Sequence, residues 1–165
     1  MLRFTRIRVT LAAMAFALAA CGSADNGSTD TDARVRLNAN KSSARFGDYT
    51  IHVNAMLTSE LTPEIAQSYG IARSENQGLV NMVVLSKVGG DAETPIAGKV
   101  EVSASNLNGQ LKNMELLEIA DGASIYYIGA VAIANREIIN FDFDVQPAGS
   151  NQVLLIRFTY EFYTK

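Results

Sequence analysis

The 165-residue sequence lacks several features on which enzyme chemistry commonly depends. Cys21 is its single cysteine, which excludes an intrachain disulfide and also excludes a thiolate metal site or cysteine nucleophile in the domain that follows. His52 is its single histidine and would have to act alone in a histidine-assisted nucleophile or a zinc site. The Gly-x-Ser-x-Gly, phosphate-loop and dinucleotide-binding motifs do not occur. These absences predict a protein without a cofactor and argue against the commonest enzyme classes.

The sequence also has no apolar run long enough for a membrane-spanning helix, which needs about 20 residues. Its N-terminus has a shorter run, residues 9–20, preceded by three arginines. This layout is typical of a secretory signal peptide. The run ends in Leu18-Ala19-Ala20-Cys21, which resembles the lipobox of bacterial lipoproteins. We therefore expect a signal peptide over residues 1–20 and lipid, including palmitate, on Cys21. The alternative is an ordinary secreted protein with a cysteine near its cleavage site.

Positive charge is scarce once residues 1–20 are removed. The remaining chain has 11 basic and 17 acidic residues, a net charge of −6. This balance argues against nucleic acid as a partner and against electrostatic adhesion to anionic lipids, so the lipid on Cys21 is the expected membrane anchor. In bacterial lipoproteins, an aspartate directly after the lipidated cysteine typically favours retention in the inner membrane. Here Gly22 occupies that position. We expect a periplasm-facing lipoprotein, at the outer membrane rather than the inner, with an envelope protein or ligand as its possible partner.

Residues 21–45 are predicted to form the lipidated cysteine and a flexible tether. The segment is rich in Ser, Asp, Asn, Gly, Thr and Lys, and it has too few large apolar side chains to bury a core. Val35 and Leu37 are the exceptions. The alternative is therefore a short strand at residues 33–39 that adds to the edge of the domain.

From Phe46 onward, apolar and polar residues alternate in the manner of half-buried strands. This pattern predicts strands over residues 48–58, 79–88, 99–104, 114–120, 123–133, 137–145 and 154–162. Thr62, Pro63 and Gly70 have the properties of a helix start and stop, and they predict one short helix near 62–69. About seven strands without crossover helices predict an all-β domain over residues 46–165. We expect an antiparallel two-sheet sandwich with immunoglobulin-like topology, with a small closed barrel as the alternative.

Six short segments of this domain resemble a bacterial family known as domain of unknown function 4426 (DUF4426). They are Phe46-Gly47-Asp48-Tyr49, Leu61-Thr62-Pro63-Glu64-Ile65-Ala66, Tyr69-Gly70-Ile71, Asn106-Leu107-Asn108-Gly109-Gln110, Ile125-Tyr126-Tyr127-Ile128 and Asp144-Val145-Gln146-Pro147. The resemblance covers nearly all of residues 46–165. It implies an exported protein of similar size, and it implies no activity and no catalytic residue.

Asp142 and Asp144 are the one pair of carboxylates with a spacing that suggests chemistry. They lie two residues apart on one strand face, about 6.5–7 Å apart, which suits a calcium site or paired acid–base work on a glycoside. Their alternation with Phe141 and Phe143 is fully explained by a solvated outer face, so we expect both to be dispensable surface residues whose substitution changes stability by less than about 0.5 kcal/mol. Asp48 could hydrogen-bond the backbone amides of a turn. His52 is expected to be an exposed strand residue.

Two functions follow from these observations. The first is a non-enzymatic binding or envelope-assembly module that docks a partner through its loops or an exposed aromatic face, such as Tyr126 or Tyr163. The second is a metal-dependent or hydrolytic activity that uses Asp142 and Asp144. The predicted tether and the missing catalytic motifs favour the first.

Overall fold

Strands dominate the part of the chain that the structure describes. This computed structural model describes residues 34–90 and 92–164. The predicted signal peptide, Cys21 and the first part of the predicted tether lie outside the described residues. The elements are β1 (Val35–Asn38), β2 (Ser43–Phe46), β3 (Tyr49–Leu57), a 3-10 turn (Thr58–Glu60), α1 (Pro63–Ser68), β4 (Gln77–Ser86), β5 (Thr94–Pro95), β6 (Gly98–Asn106), β7 (Leu111–Lys112), β8 (Leu116–Asp121), β9 (Ser124–Ala132), β10 (Glu137–Pro147) and β11 (Leu154–Phe162).

The strands form two sheets that enclose one core. Sheet A has the order β1-β11-β10-β6-β7, and sheet B has the order β2-β3-β4-β9-β8, with β5 paired to β4. The pairing of β1 with β11 is parallel, and the other pairings between the described strands are antiparallel. The orders β3-β4-β9-β8 and β11-β10-β6 correspond to the ABED and GFC sheets of the immunoglobulin fold. The predicted antiparallel sandwich is confirmed, and the alternative of a closed barrel is wrong.

Each of the seven predicted strands has a counterpart, namely β3, β4, β6, β8, β9, β10 and β11. The prediction of about seven strands is nevertheless too low, because the described residues contain four more. β1 and β2 have four residues each, and β5 and β7 have two each. Strands of this length contain too few alternations to be recognised from a sequence pattern.

The predicted tether extends too far toward the domain. β1 lies within residues 21–45, and β2 begins within them and ends at Phe46. The folded domain therefore begins before Phe46. β1 adds to the edge of sheet A, where Val35 pairs with Ile156 and the side chain of Leu37 is buried. The alternative of a short strand within residues 33–39 is therefore correct. Val35 and Leu37 form a strand because an open sheet edge offers them hydrogen bonds and a core to enter.

Alternate residues of β10 and β11 build the centre of the core. Ile139, Phe141, Phe143 and Val145 are fully buried on β10, as the alternation predicts. Phe141 lies 6.4 Å from Phe143 and 6.3 Å from Phe158 between ring centroids. This packing gives sheet A a rigid aromatic inner face.

The predicted helix near residues 62–69 is confirmed as α1. The side-chain oxygen of Thr62 accepts a hydrogen bond from the Ile65 N–H, and Pro63 occupies the first turn, where its missing N–H costs nothing. Gly70 follows with a φ of +64°, a conformation that most other residues avoid. No helix in the described residues has both the length and the apolar character needed to cross a membrane.

Candidate binding recess

The outer face of sheet B is unusually apolar for an antiparallel sandwich. In such folds, the residues that alternate with the core residues normally face water and are polar. Here the outward positions of three neighbouring strands are mostly apolar: Leu79 and Val83 on β4, Tyr126 and Ile128 on β9, and Leu117 and Ile119 on β8. Leu79 and Ile128 are buried even though they point away from the core. Something other than the second sheet therefore covers this face.

The cover is the segment that contains α1, and it leaves a recess of about 170 Å³ against the sheet. The sheet contributes Met56, Leu79, Tyr126 and Ile128, the helical segment contributes Leu61, Ile65, Tyr69 and Ile71, and the polar lining residues are Asn81 and Asp121. Ile65 stays partly exposed at 44%. An apolar recess with a small number of polar groups is the usual form of a small binding site.

Asn81 is one of the two polar residues that line this recess. Its Oδ1 atom is buried and accepts no hydrogen bond, and no other buried side-chain N or O atom in the described residues lacks a partner. On the neighbouring strands its register partners are Asn54 and Ile128. An unsatisfied buried acceptor is uncommon in native proteins and calls for an explanation. Less than 1 Å² of this oxygen is exposed, so a group lying in the recess does not reach it in this conformation.

A larger open groove continues from the recess. The groove has a volume of about 650 Å³ and shares Ile71 and Ile128 with the recess. Ala130 and Ala132 of β9 line it together with Ala72, and Glu115 is its charged lining residue. Because these alanines carry little side-chain bulk, an extended ligand can approach the sheet closely here.

Asp142 and Asp144 point outward from β10 as predicted, but arginines engage both. Arg157 lies directly opposite Asp142 on β11 and donates hydrogen bonds of 2.7 Å and 2.8 Å to its two carboxylate oxygens. Arg34, next to β1, donates to the Asp144 carboxylate and, at 3.0 Å, to the Phe143 carbonyl. The Asp142 side chain is 19% exposed and that of Asp144 is 42% exposed. The expectation of a freely solvated pair is therefore wrong for Asp142.

This geometry also disfavours the catalytic interpretation of the pair. A calcium site or paired acid–base catalysis needs carboxylate oxygens that are free to bind a cation or move a proton. Arg157 uses both oxygens of Asp142. Within residues 34–90 and 92–164, no cluster of three or more His, Cys, Asp or Glu side chains could hold a metal ion. The pair instead fastens β10 to β11 and to the chain that enters β1.

The family model for domain of unknown function DUF4426 matches residues 43–165. The chain belongs to this family. The chain is similar to a DUF4426 family protein from Pseudomonas aeruginosa PAO1 whose crystal structure is known. The two sequences are 29% identical, the TM-score is 0.64, and the match covers 74% of this chain and 94% of that chain. A family 123 glycoside hydrolase from Clostridium perfringens, studied for glycolipid glycan hydrolysis, is 12% identical over 70% of this chain and 27% of that chain. The TM-score of that pair is 0.34. The comparison with curated proteins finds no match.

Three of the six DUF4426-like segments meet at the recess. Leu61–Ala66 and Tyr69–Ile71 supply its helical wall, and Ile125–Ile128 supplies part of its sheet wall. Tyr126 and Tyr127 in the last segment point to opposite sides of sheet B. Tyr126 lines the recess, whereas Tyr127 is buried between the sheets.

The DUF4426-like segment Phe46-Gly47-Asp48-Tyr49 forms a tight hairpin between β2 and β3. Phe46 pairs with Tyr49, and Gly47 has a φ of +59°, as the first central residue of a type II′ turn requires. The Asp48 backbone carbonyl accepts a hydrogen bond from the Lys87 N–H at 2.9 Å. The predicted bond from the Asp48 side chain to turn amides is not present among the described residues, because glycine already provides the turn conformation. The segment therefore has a structural role.

The segment Asn106–Gln110 is also structural. The Asn106 Oδ1 atom accepts hydrogen bonds from the N–H groups of Asn108 and Gln110, at 3.1 Å and 3.0 Å. Glu137 lies beside this loop, 2.6 Å from the Lys112 ammonium. Desolvation alone would raise the pKa of Glu137, but hydrogen bonds from Lys112, the Ala134 N–H and Asn106 outweigh it and lower that pKa below its usual value. These bonds connect the loop to its own backbone and to β7 and β10.

His52 and Tyr163 are exposed, and neither lines the recess. The important residue that sequence reasoning missed is Asn81. The available signal was a single amide at an outward position within the apolar run of β4. Interpreting that run as simply buried on both sides concealed it.

Proposed function

We propose that this DUF4426 protein is a lipid-anchored, non-enzymatic binding module of the bacterial envelope, and that the recess under α1 binds a segment of a partner polypeptide. The observation that carries the proposal is the apolar recess, with its adjoining groove, that the helical segment leaves open against the outer face of sheet B. An apolar cleft with a small number of polar groups is the usual form of a binding site.

The size of the recess favours a side chain over a lipid. An apolar cavity of about 150 Å³ holds a molecule the size of benzene. At about 170 Å³, the recess accommodates one ring or one branched side chain and is too small for a long acyl chain. The adjoining groove, with its floor of alanines, offers room for the backbone on which such a side chain is carried.

The charges around the site restrict the partner further. Asp121 in the recess and Glu115 in the groove are acidic, and the lining residues of both include no lysine, arginine or histidine. Complementary charge increases association rates and discriminates against partners of the same sign. A neutral or basic segment therefore fits this surface better than an acidic one.

Lipid attachment at Cys21 would hold the module at the membrane, with an outer-membrane location facing the periplasm favoured by Gly22. Replacement of this cysteine, Cys21→Ser, is expected to abolish metabolic labelling with palmitate while the domain still folds, because the cysteine precedes in sequence every residue that forms the two sheets. Continued palmitate labelling of the variant would contradict the lipoprotein assignment.

Selection from a random heptapeptide phage library tests the binding site itself. Peptides selected on the wild-type domain should lose binding to Ala130→Phe, in which a ring fills the floor of the groove, and keep binding to the matched control Val88→Phe. Val88 is a 67% exposed residue outside both the recess and the groove. Methyl NMR shifts on binding should be concentrated at Ile71 and Ile128. Failure to enrich any peptide, or equal binding to both variants, would refute the proposed site.

A further inference from the structure

We infer that the free edge of β8 takes up an extended segment of the partner polypeptide as an additional strand of sheet B, and that this segment alternates apolar with basic residues. The inference rests on the proposed function, because it concerns the same partner, and it adds a contact made by the partner's main chain. Three observations carry it: the length of β8, the direction of its backbone groups, and the side chains along it.

β8 is the longest edge strand among the described residues. Of the other edge strands, β1 and β2 have four residues each and β7 has two, whereas β8 has six. Proteins commonly protect an edge with lysine, proline or a bulge. β8 contains neither lysine nor proline, and its register with β9 is continuous from Leu116 to Asp121. Such an edge is open to another strand.

The register fixes which residues of β8 bond to β9. One position beyond the ladder of β4 and β9, the Ile133 N–H donates to the Asn76 carbonyl at 3.0 Å, so the odd-numbered residues of β9 bond to β4. Backbone groups of successive strand residues point to opposite sides. The even-numbered residues of β9 therefore bond to β8, where they lie opposite Leu117 and Ile119.

The intervening residues of β8 direct their N–H and C=O groups toward the free edge. They are Leu116, Glu118 and Ala120. No backbone hydrogen bond outside the ladders involves these three among the described residues. Glu118 and Ala120 are exposed, so an incoming strand can reach this edge. Strand addition of this kind obtains its affinity from main-chain hydrogen bonds.

The side chains of β8 define the sequence that fits beside it. Leu117 is 52% exposed on the outer face of sheet B, and Ile119 shares that face. Glu118 points to the other side. β8 and the three residues before it include Glu115, Glu118 and Asp121 and no lysine, arginine or histidine. Apolar residues beside Leu117 and basic residues beside Glu118 complement this strand, because cross-strand pairs of opposite charge are stabilising.

The same charges disfavour a second copy of this chain as the occupant. Two β8 strands paired antiparallel about Glu118 would place the two Glu118 side chains directly opposite each other. Pairing about Leu117 or Ile119 would place them diagonally, still as close neighbours. Like charges across a strand pair are destabilising, so the edge fits a different polypeptide better.

Amide hydrogen exchange of the mature chain, followed by NMR, tests this assignment. The probe is acetyl-Val-Lys-Val-Lys-Val-Lys-amide, and its controls are acetyl-Val-Glu-Val-Glu-Val-Glu-amide and the composition-matched acetyl-Val-Val-Val-Lys-Lys-Lys-amide. Ala120→Pro removes an N–H that points to the free edge and leaves the ladder with β9 intact. Ala120→Thr is the matched control, since it keeps this N–H. Glu118→Lys reverses the charge.

In the free protein, the amides of Glu118 and Ala120 should exchange rapidly and those of Leu117 and Ile119 slowly. The alternating Val-Lys peptide should slow exchange at Glu118 and Ala120, and it should bind about three- to tenfold more tightly than either control peptide. Ala120→Pro should lose this binding, and Ala120→Thr should keep it. Glu118→Lys should prefer the Val-Glu peptide.

Absence of binding, equal binding of the three peptides, or binding without slower exchange at Glu118 and Ala120 would overturn the strand assignment, whether or not the variants fold. Slow exchange at these two amides in the free protein that depends on protein concentration would assign the edge to a second copy and overturn it too. The recess is tested separately. Library peptides that lose binding to Ala130→Phe but leave the β8 amides unprotected would support the recess and reject the strand, whereas protection of β8 that is insensitive to Ala130→Phe would do the reverse.

Discussion

Removing the hydroxyl of Tyr127 is expected to weaken the attachment between the two sheets. Tyr127 is on β9 of sheet B, and its side chain crosses the core to Gly98 at the start of β6 in sheet A. The hydroxyl accepts a hydrogen bond from the Gly98 N–H at 2.7 Å and donates one to the Gly98 carbonyl at 2.9 Å. The residue is 3% exposed, so water cannot easily replace these bonds.

The expected cost of Tyr127→Phe follows from these contacts. The substitution leaves the N–H and the carbonyl of Gly98 without their partner, and one unsatisfied buried group costs about 1–3 kcal/mol. We expect the free energy of unfolding to fall by about 2 kcal/mol. For a domain of this size, that corresponds to a decrease in melting temperature of about 6–10 °C.

The same residue makes the stability of the wild type sensitive to alkaline pH. Burial and the nearby Glu118 carboxylate raise the pKa of Tyr127 to about 12, with the Gly98 N–H acting in the opposite direction. In the unfolded chain the hydroxyl ionises near pH 10, so stability is present below pH 10 and is lost as the pH rises toward 12. At pH 11 the loss should be about 1 kcal/mol. Tyr127→Phe should lack this component.

Urea denaturation at pH 7 and pH 11, followed by circular dichroism, measures both effects. Tyr126→Phe is the matched control, since Tyr126 lines the recess on the other face of the sheet and its hydroxyl forms no hydrogen bond with the described residues. Unfolding of Tyr127→Phe and Tyr126→Phe at the same urea concentration would refute the role of the Tyr127 hydroxyl. So would an equal loss of stability by Tyr127→Phe and the wild type between the two pH values.

Three further predictions concern other parts of the sandwich. Asp142→Asn should lower the free energy of unfolding by about 1 kcal/mol, because it weakens the paired hydrogen bonds with a half-buried Arg157. A decrease of less than about 0.3 kcal/mol in urea denaturation would show that Asp142 behaves as an ordinary solvated surface residue. Calcium should leave the wild-type melting temperature unchanged in a thermal scan, and an increase would restore the metal-site hypothesis. Gly78→Ala should cost about 1–3 kcal/mol, because its Cβ would lie 2.6 Å from the buried ring of Phe162, whereas Gly90→Ala, with no atom within 4 Å, should be neutral in the same assay. Equal effects of the two glycine substitutions would contradict this packing argument.

Several features of this protein follow from local sequence alone. A period of two requires Phe141 and Phe143 to share one face of a strand and Asp142 and Asp144 to share the other, and the structure has this arrangement. The boundaries of α1 also come from neighbouring residues, because capping at Thr62 and chain reversal near Gly70 act within one turn of the helix. The resemblance to the DUF4426 family could also be recognised from local sequence, because the segments that carry it are short and keep their order along the chain.

Other features depend on residues that are far apart in sequence. The interaction of Arg34 with Asp144 joins residues 110 positions apart, and the short strand β1 exists because β11 offers it an edge. No local pattern distinguishes such a strand from a polar tether. The outward direction of Asp142 was predictable, but its neutralisation by Arg157 depends on the register between β10 and β11.

The recess depends most completely on tertiary structure. Sequence alternation placed Leu79, Asn81 and Ile128 in strands, but only the docking of α1 on the outer face of sheet B turns these residues into the walls of one site. The burial of Asn81 Oδ1 without a partner results from the same docking, since a side chain on an uncovered sheet would bond to water. Local sequence therefore determined the elements and which residues share a face. The packing of the helix on the sheet determined where the recess forms. The physical reason is that the burial of a side chain depends on the surfaces that pack against it, and these come from different segments of the chain.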